Sequence, residues 1–242
     1  LTTGSALLLS LLALAPVARA QPSQFLCETN GGSITIVMYE GPGGAVAIPD
    51  SIGNLPVVGI GGMAFAGADI TSVTMGDSVT NIGDNAFWWC KDLATATLGG
   101  GVTSIGAEAF GDCSALASVV MGKSVASIGD AAFENCFSLA SVAFPAGVAT
   151  IGSGAFESCG LTAAAIPDGV ASIGEMAFAG CTNLAGVTIG RGTTSIGRWA
   201  FEGCTRLAGI SVDGLNPAYS SAEGVLFDQA QATLIAYPEG KA

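Results

Sequence analysis

The side chains best suited to chemistry in this chain are seven cysteines, and six of them fall in register. Cys90, Cys113, Cys136, Cys159, Cys181 and Cys204 follow one another at steps of 23, 23, 23, 22 and 23 residues. A thiol can be a disulfide partner, a metal ligand or a nucleophile, and each role needs particular neighbours. No C-x-x-C pair occurs, and the 242 residues include no histidine. That removes imidazole catalysis and His-ligated metal from consideration. Cysteines stacked on adjacent strands would lie about 5 Å apart, near enough for a disulfide. Stacked side chains point the same way, however, whereas a disulfide needs a dihedral of about 90°. Inert, buried thiols are the expectation for these six. Cys27 lies outside the register and is expected to be buried as well, with intermolecular pairing as its alternative.

The acids and the aromatics are the other candidates. Asp112, Glu134, Glu157 and Glu202 recur along one outward edge and read as a solvated acidic rim. Paired-carboxylate hydrolysis needs two acids converging in a cleft, and these are strung along the chain. There is no G-x-x-x-x-G-K-[ST] phosphate loop and no calcium-loop spacing of acids. No enzyme, metal or cofactor is therefore expected. With 7 basic against 19 acidic residues, nucleic acid is not an expected partner either. Trp88 and Trp89 stand between Phe87 and Cys90, where the equivalent positions elsewhere carry Gly, Ala, Asp, Glu, Asn or Ser. Phe137 lies just after Cys136. These three aromatics are the candidate partner-binding residues; the alternative is that they pad neighbouring turns. Trp199, beside Arg198 in the last unit, is expected to pack over the end of the array.

What positions all of these residues is a repeat. Ile-Gly begins at 60, 82, 105, 128, 151, 173 and 196, and Ala-Phe follows at a fixed distance, ending in Phe65, Phe87, Phe110, Phe133, Phe156, Phe178 and Phe201. Each unit continues apolar-x-x-apolar-x-apolar, as in Leu116, Val119, Met121 or Leu184, Val187, Ile189. Alternate residues of such a strand point inward. A further column reads Val79, Val102, Val125, Val148, Val170 and, as an exception, Thr193. One unit cannot bury its own apolar face, so stability must come from stacking neighbour on neighbour. The expected fold is a β-rich solenoid with a parallel sheet on one face and a short helical turn at each Ala-Phe-x-x-Cys. The 36 glycines are assigned mainly to turns. The outward strand columns, such as Thr74, Thr97, Val120, Ala143, Ala165, Thr188 and Ser211, hold no Trp, Tyr or Arg, so no strong binding is expected there.

The ends differ from the middle. Residues 1–20 contain an apolar run, Ala6 to Ala15, ending in Ala18-Arg19-Ala20, and read as a secretory signal cleaved after Ala20. The run is too short for a membrane span. Leu1 to Ser5 lacks a basic residue and an initiating Met, which implies residues upstream or a non-Met start. Residues 21–58 read as an entry cap with strands at Ser33 to Met38 and Ala45 to Ile48, and residues 59–214 as about seven units. Residues 215–242 read as a hairpin, Gly224 to Phe227 with Thr233 to Tyr237, forming either a cap or a break before further repeats.

The unit Ile-Gly-x-x-Ala-Phe-x-x-Cys-x-x-Leu-x-x-Val-x-Ile, clearest at Ile173 to Ile189, resembles the BspA-like, or Treponema-type, leucine-rich repeat. The resemblance extends over about residues 25–241 and includes the flanking segments. The family's usual Pro after the strand survives only at Pro145 and Pro167. The resemblance implies an exported or surface bacterial protein, non-enzymatic, engaged in adhesion or interaction with an extracellular protein or glycan. It also leaves open that the chain is a fragment of a longer array. The alternative is a structural spacer without a ligand of its own. After signal removal no membrane insertion is expected.

Overall fold

A computed structural model describes residues 24–241; the expected signal segment, residues 1–20, lies outside them. Seven coils, each opened by its Ile-Gly, stack along one axis. Their Ile-Gly segments form parallel two-residue strands: Asn81–Ile82, Ser104–Ile105, Ser127–Ile128, Thr150–Ile151, Ser172–Ile173 and Ser195–Ile196 pair in sequence. The first coil joins this sheet through Leu55–Ile60, and the antiparallel hairpin Phe25–Asn30/Ser33–Tyr39 closes its leading edge. The opposite face carries longer strands in two sheets. One holds Gly44–Ile48, Ile70–Met75, Thr95–Thr97 and Ser118–Val120; the other holds Ala163–Ile166, Gly186–Ile189 and Gly209–Val212. The coil between them, at residues 141–144, joins neither sheet. The gap coincides with Phe144, the largest residue of its column, whose ring stands edge-on to Phe156 at 5.4 Å.

Between the faces run the apolar ladders. The seven phenylalanines stack ring on ring at 4.7 to 5.7 Å with planes within 20°. Tyr39 extends the stack into the cap, 4.9 Å from Phe65. The Val column is fully buried, and so is Thr193, whose hydroxyl donates to the Val170 carbonyl at 2.9 Å. The exception in that column is thus a hydroxyl whose hydrogen-bonding need is met inside the array.

The Ala-Phe-x-x-Cys segment is not a helical turn. In the third coil Ala109, Gly111 and Cys113 N–H groups donate three residues back, as a tight helix would require, but Glu108, Phe110 and Asp112 N–H groups donate to Asp130, Ala132 and Glu134 of the next coil. Alternate donors point along the solenoid axis because two residues per coil are left-handed. Glu108 and Asp112 have φ of 52° and 57°, and the pattern repeats at Asn85 and Trp89, Ala131 and Asn135, Met176 and Gly180, and Trp199 and Gly203. A right-handed helix cannot pass through such residues. The gain is inter-coil hydrogen bonding on a third side, which no helix would provide.

The glycine of Ile-Gly also differs from its expected role. Gly106 is not left-handed; a Cβ there would lie 2.6 Å from the Asp84 backbone nitrogen. Glycine stands at this position because successive coils touch backbone to backbone.

Candidate interaction surface

The six ladder cysteines are buried, and all seven cysteines are free thiols. Each ladder thiol donates to the carbonyl of the phenylalanine one coil earlier: Cys90 to Phe65, Cys113 to Phe87, Cys136 to Phe110, Cys159 to Phe133, Cys181 to Phe156 and Cys204 to Phe178, at 3.0 to 3.2 Å. Burial pushes the Cys204 thiol up to about 12 and raises Cys181 further. The neighbouring Cys159 thiol, with burial, raises Cys136 as well. A thiol that resists ionisation is a poor nucleophile, so Cys136, Cys181 and Cys204 serve the inter-coil contact; Cys90 is lowered instead, by its hydrogen bond with Cys113, but is fully buried like the others. Cys27, expected to be buried, is only partly so, because a register shift at Leu26/Cys27 turns this part of the edge strand outward. Among the described residues no three His, Cys, Asp or Glu side chains converge as metal ligands would.

The acidic edge is where the structure places it on the turn side of the coils. Glu134 has its carboxyl raised from the ordinary range by partial burial, then by the charges of Glu157, Asp112 and Glu108. Asn135 relieves part of this repulsion by donating to Asp112 Oδ1 at 3.0 Å.

Trp88 and Trp89 interrupt that edge in the second coil. Trp88 occupies the column of Glu134, Glu157 and Glu202, and Trp89 the column of Asp112, Asn135 and Ser158. Their rings lie 6.3 Å apart at 23°. Trp88 is half-buried and leans over Gly111, where a Cβ would come within 3.2 Å of its Cδ1. Trp89 leans the other way, over Gly67, and is 47% exposed. The Lys91 ammonium sits 3.9 Å above the Trp89 ring, a cation–π contact. Phe137 is 60% exposed, two coils along from Lys91 in the same column, which corresponds to about 10 Å. The structure therefore brings the two tryptophans together and leaves Phe137 on the same side without ring contact to them.

The spacing of Trp89 does not show its backbone conformation. Trp89 has φ of 61°, a left-handed conformation that costs a residue with a Cβ about 1–2 kcal/mol. The other coils fill that position with Gly67, Asp112, Asn135, Ser158, Gly180 and Gly203. Small and amide residues in a column are a legible signal for a left-handed site, and against it the tryptophan stands out twice over. Trp199, expected to pack, is instead more than half exposed at the other left-handed position of its coil, φ 57°.

The family model for the BspA-type leucine-rich repeat region matches residues 47–162 and 149–223, in six copies. The chain belongs to this family. Two solved structures place the BspA-type chain among bacterial relatives. A leucine-rich cell surface protein of Faecalibacterium prausnitzii is 32% identical with a TM-score of 0.80, over 90% of this chain and 61% of that one. The leucine-rich repeat protein of Treponema pallidum is 30% identical with a TM-score of 0.63, over 79% of this chain and 81% of that one. This BspA-type chain thus spans about three-fifths of the length of the F. prausnitzii protein. No curated protein sequence matches it. Among the described residues no helix is long and apolar enough to cross a membrane.

Proposed function

We propose that this BspA-type protein is exported to the cell surface, where it acts as a non-enzymatic adhesion or interaction module that binds an extracellular protein or glycan. The contact would be made through Trp88 and Trp89, with Phe137 as an outlying anchor. The observation that carries this reading is Trp89 itself, held left-handed at φ 61° while nearly half its surface faces solvent. A residue that accepts backbone strain and gains little burial in return is commonly found at a functional contact. Stacked indoles with a cation beside them suit the faces of sugars and the aromatic or basic side chains of proteins. The strand face supports the same choice by contrast, since its outward columns remain small and uncharged.

The test is a Trp88→Ala/Trp89→Asn double variant of the secreted chain, compared with the parent on panels of extracellular matrix proteins and surface glycans. Loss of a partner bound by the parent, with the melting transition retained, supports the reading. Retention of every partner favours a spacer role for the segment instead.

A further inference from the structure

Trp88 and Trp89 sit inside the array, with a coil already stacked on either side of them. Gly67 N–H of the first coil donates to the Trp88 carbonyl, and Trp89 N–H donates to the Gly111 carbonyl of the third, both at 2.8 Å. What surrounds the indoles is acid. Residues 82–150, the second to fourth coils, hold Asp84, Asp92, Glu108, Asp112, Asp130 and Glu134 against Lys91 and Lys123. Glu108 and Trp88 flank one spot, since a Cβ on Gly111 would lie 3.5 Å from Glu108 Cβ and 3.2 Å from Trp88 Cδ1. Asp112 follows Trp89 in its column one coil on, and Glu134 stands in the Trp88 column of the coil that carries Phe137.

These carboxylates have no cation of their own. Among the described residues the ion pair is Arg191 with Asp168, in the sixth and fifth coils. Glu108 accepts from the Asn85 amide and Asp112 from the Asn135 amide, each at 3.0 Å, so their partners are neutral. Lys91 lies 3.9 Å above the Trp89 ring and pairs with no carboxylate. The indole face thus already holds a cation, while the acids beside it hold none.

We propose that the tryptophan contact surface argued above, on which this inference rests, takes an extended, arginine-bearing segment of another protein. One guanidinium replaces Lys91 on the Trp89 ring, and a second basic side chain lies against Glu108, Asp112 and Glu134. A guanidinium suits both halves of the surface, because it stacks on an aromatic face and donates in its own plane to carboxylates. The same acids repel an anionic glycan, and a neutral sugar leaves them unused. A second copy of this chain is a poor fit. It brings 19 acidic residues against 7 basic, and no two basic residues stand closer than seven positions in its sequence. A further coil built on the same columns would bring the same acids.

The probe is a capped Gly-Arg-Gly-Arg-Gly peptide, beside a control with citrulline for arginine, which keeps the shape without the charge. The indole N–H resonances of Trp88, Trp89 and Trp199 in the secreted chain are the readout, with light scattering to report its oligomeric state. The arginine peptide is expected to shift Trp88 and Trp89 and to leave Trp199 in place. The citrulline peptide should bind at least tenfold more weakly. Glu108→Gln/Asp112→Asn/Glu134→Gln should weaken arginine-peptide binding at least fivefold with the melting transition retained. Lys91→Ala should strengthen it at least threefold by clearing the Trp89 ring. Equal binding of the two peptides, an equal shift at Trp199, or no shift at millimolar peptide overturns the proposal. So does self-association that covers the indoles, or a neutral oligosaccharide that moves them where the peptide does not. If Trp88→Ala/Trp89→Asn loses a partner of the parent while the arginine peptide moves neither indole, the contact surface stands and its cationic occupant falls. If no partner depends on the tryptophans, the surface falls and this inference with it.

Discussion

The Cys136 thiol donates a hydrogen bond to the Phe110 carbonyl at 3.2 Å, across 26 residues and one coil boundary. The same bond recurs at all six ladder cysteines, so the column is a row of small donors that join one coil to the last. Cys136→Ala removes the bond and leaves a small void, at a cost of about 1–2 kcal/mol in urea denaturation. A neutral result would show that the thiol serves only as filler.

Thiol titration checks the same column from another side. Only Cys27, the partly exposed one, should react readily with a thiol reagent in the native protein. All seven should react in denaturant. Fewer than five reactive thiols in denaturant would mean that ladder cysteines are paired, contrary to the geometry described.

Backbone contact between coils sets the third expectation. A Cβ on Gly106 would sit 2.6 Å from backbone, whereas one on Gly186 would meet no atom within 4 Å. Gly106→Ala should therefore cost more than about 3 kcal/mol, at the severe end for a point change. Gly186→Ala should stay within about 0.5 kcal/mol. Similar losses at the two sites would contradict the close-approach argument.

The Glu134 carboxyl is raised in the fold by partial burial and by Glu157, Asp112 and Glu108. A group whose folded value is raised contributes stability at pH below its unfolded value, and that contribution is lost as pH climbs through the folded one. Glu134→Gln should therefore raise the melting temperature at neutral pH, with the difference closing below about pH 4. Melting curves at the two pH values decide it, and a variant less stable at neutral pH would be the wrong sign.

Much of this architecture was legible from spacing. Ile82, Phe87, Cys90 and Leu93 are buried where their columns placed them, because each apolar column has one inward direction and every coil repeats it. The turn segment departs from the expected helical turn because Ala-Phe-x-x-Cys has helical spacing, while the residues that forbid a helix, Asn85 and Trp89 in the same coil, show their left-handed φ only in three dimensions. The column of Gly67, Asp112 and Asn135 carried that information in its residue types. The contact of the terminal hairpin with the last coil was not legible at all. It depends on where the hairpin strand Leu234–Ala236 comes to rest and on the Glu239 side chain accepting from Gly203 N–H, neither of which periodicity encodes.

Trp89→Asn is the stability half of the central claim. Asn135 already occupies the equivalent left-handed position. Relief of strain should offset the loss of the Lys91 contact, worth about 0.5–1 kcal/mol when exposed. Thermal unfolding should show the variant equal to the parent or more stable by up to about 1 kcal/mol. A loss beyond about 1 kcal/mol would identify the ring as structural padding.

The most direct measurement is binding by the folded Trp88→Ala/Trp89→Asn variant. Parent and variant, matched in melting temperature, are titrated against each matrix protein or glycan that the parent captures. The account predicts at least a tenfold loss of affinity for that partner, since buried aromatic anchors carry about 2 kcal/mol or more at such contacts. Unchanged affinity for every partner would contradict it and return the exposed tryptophans to the status of surface packing.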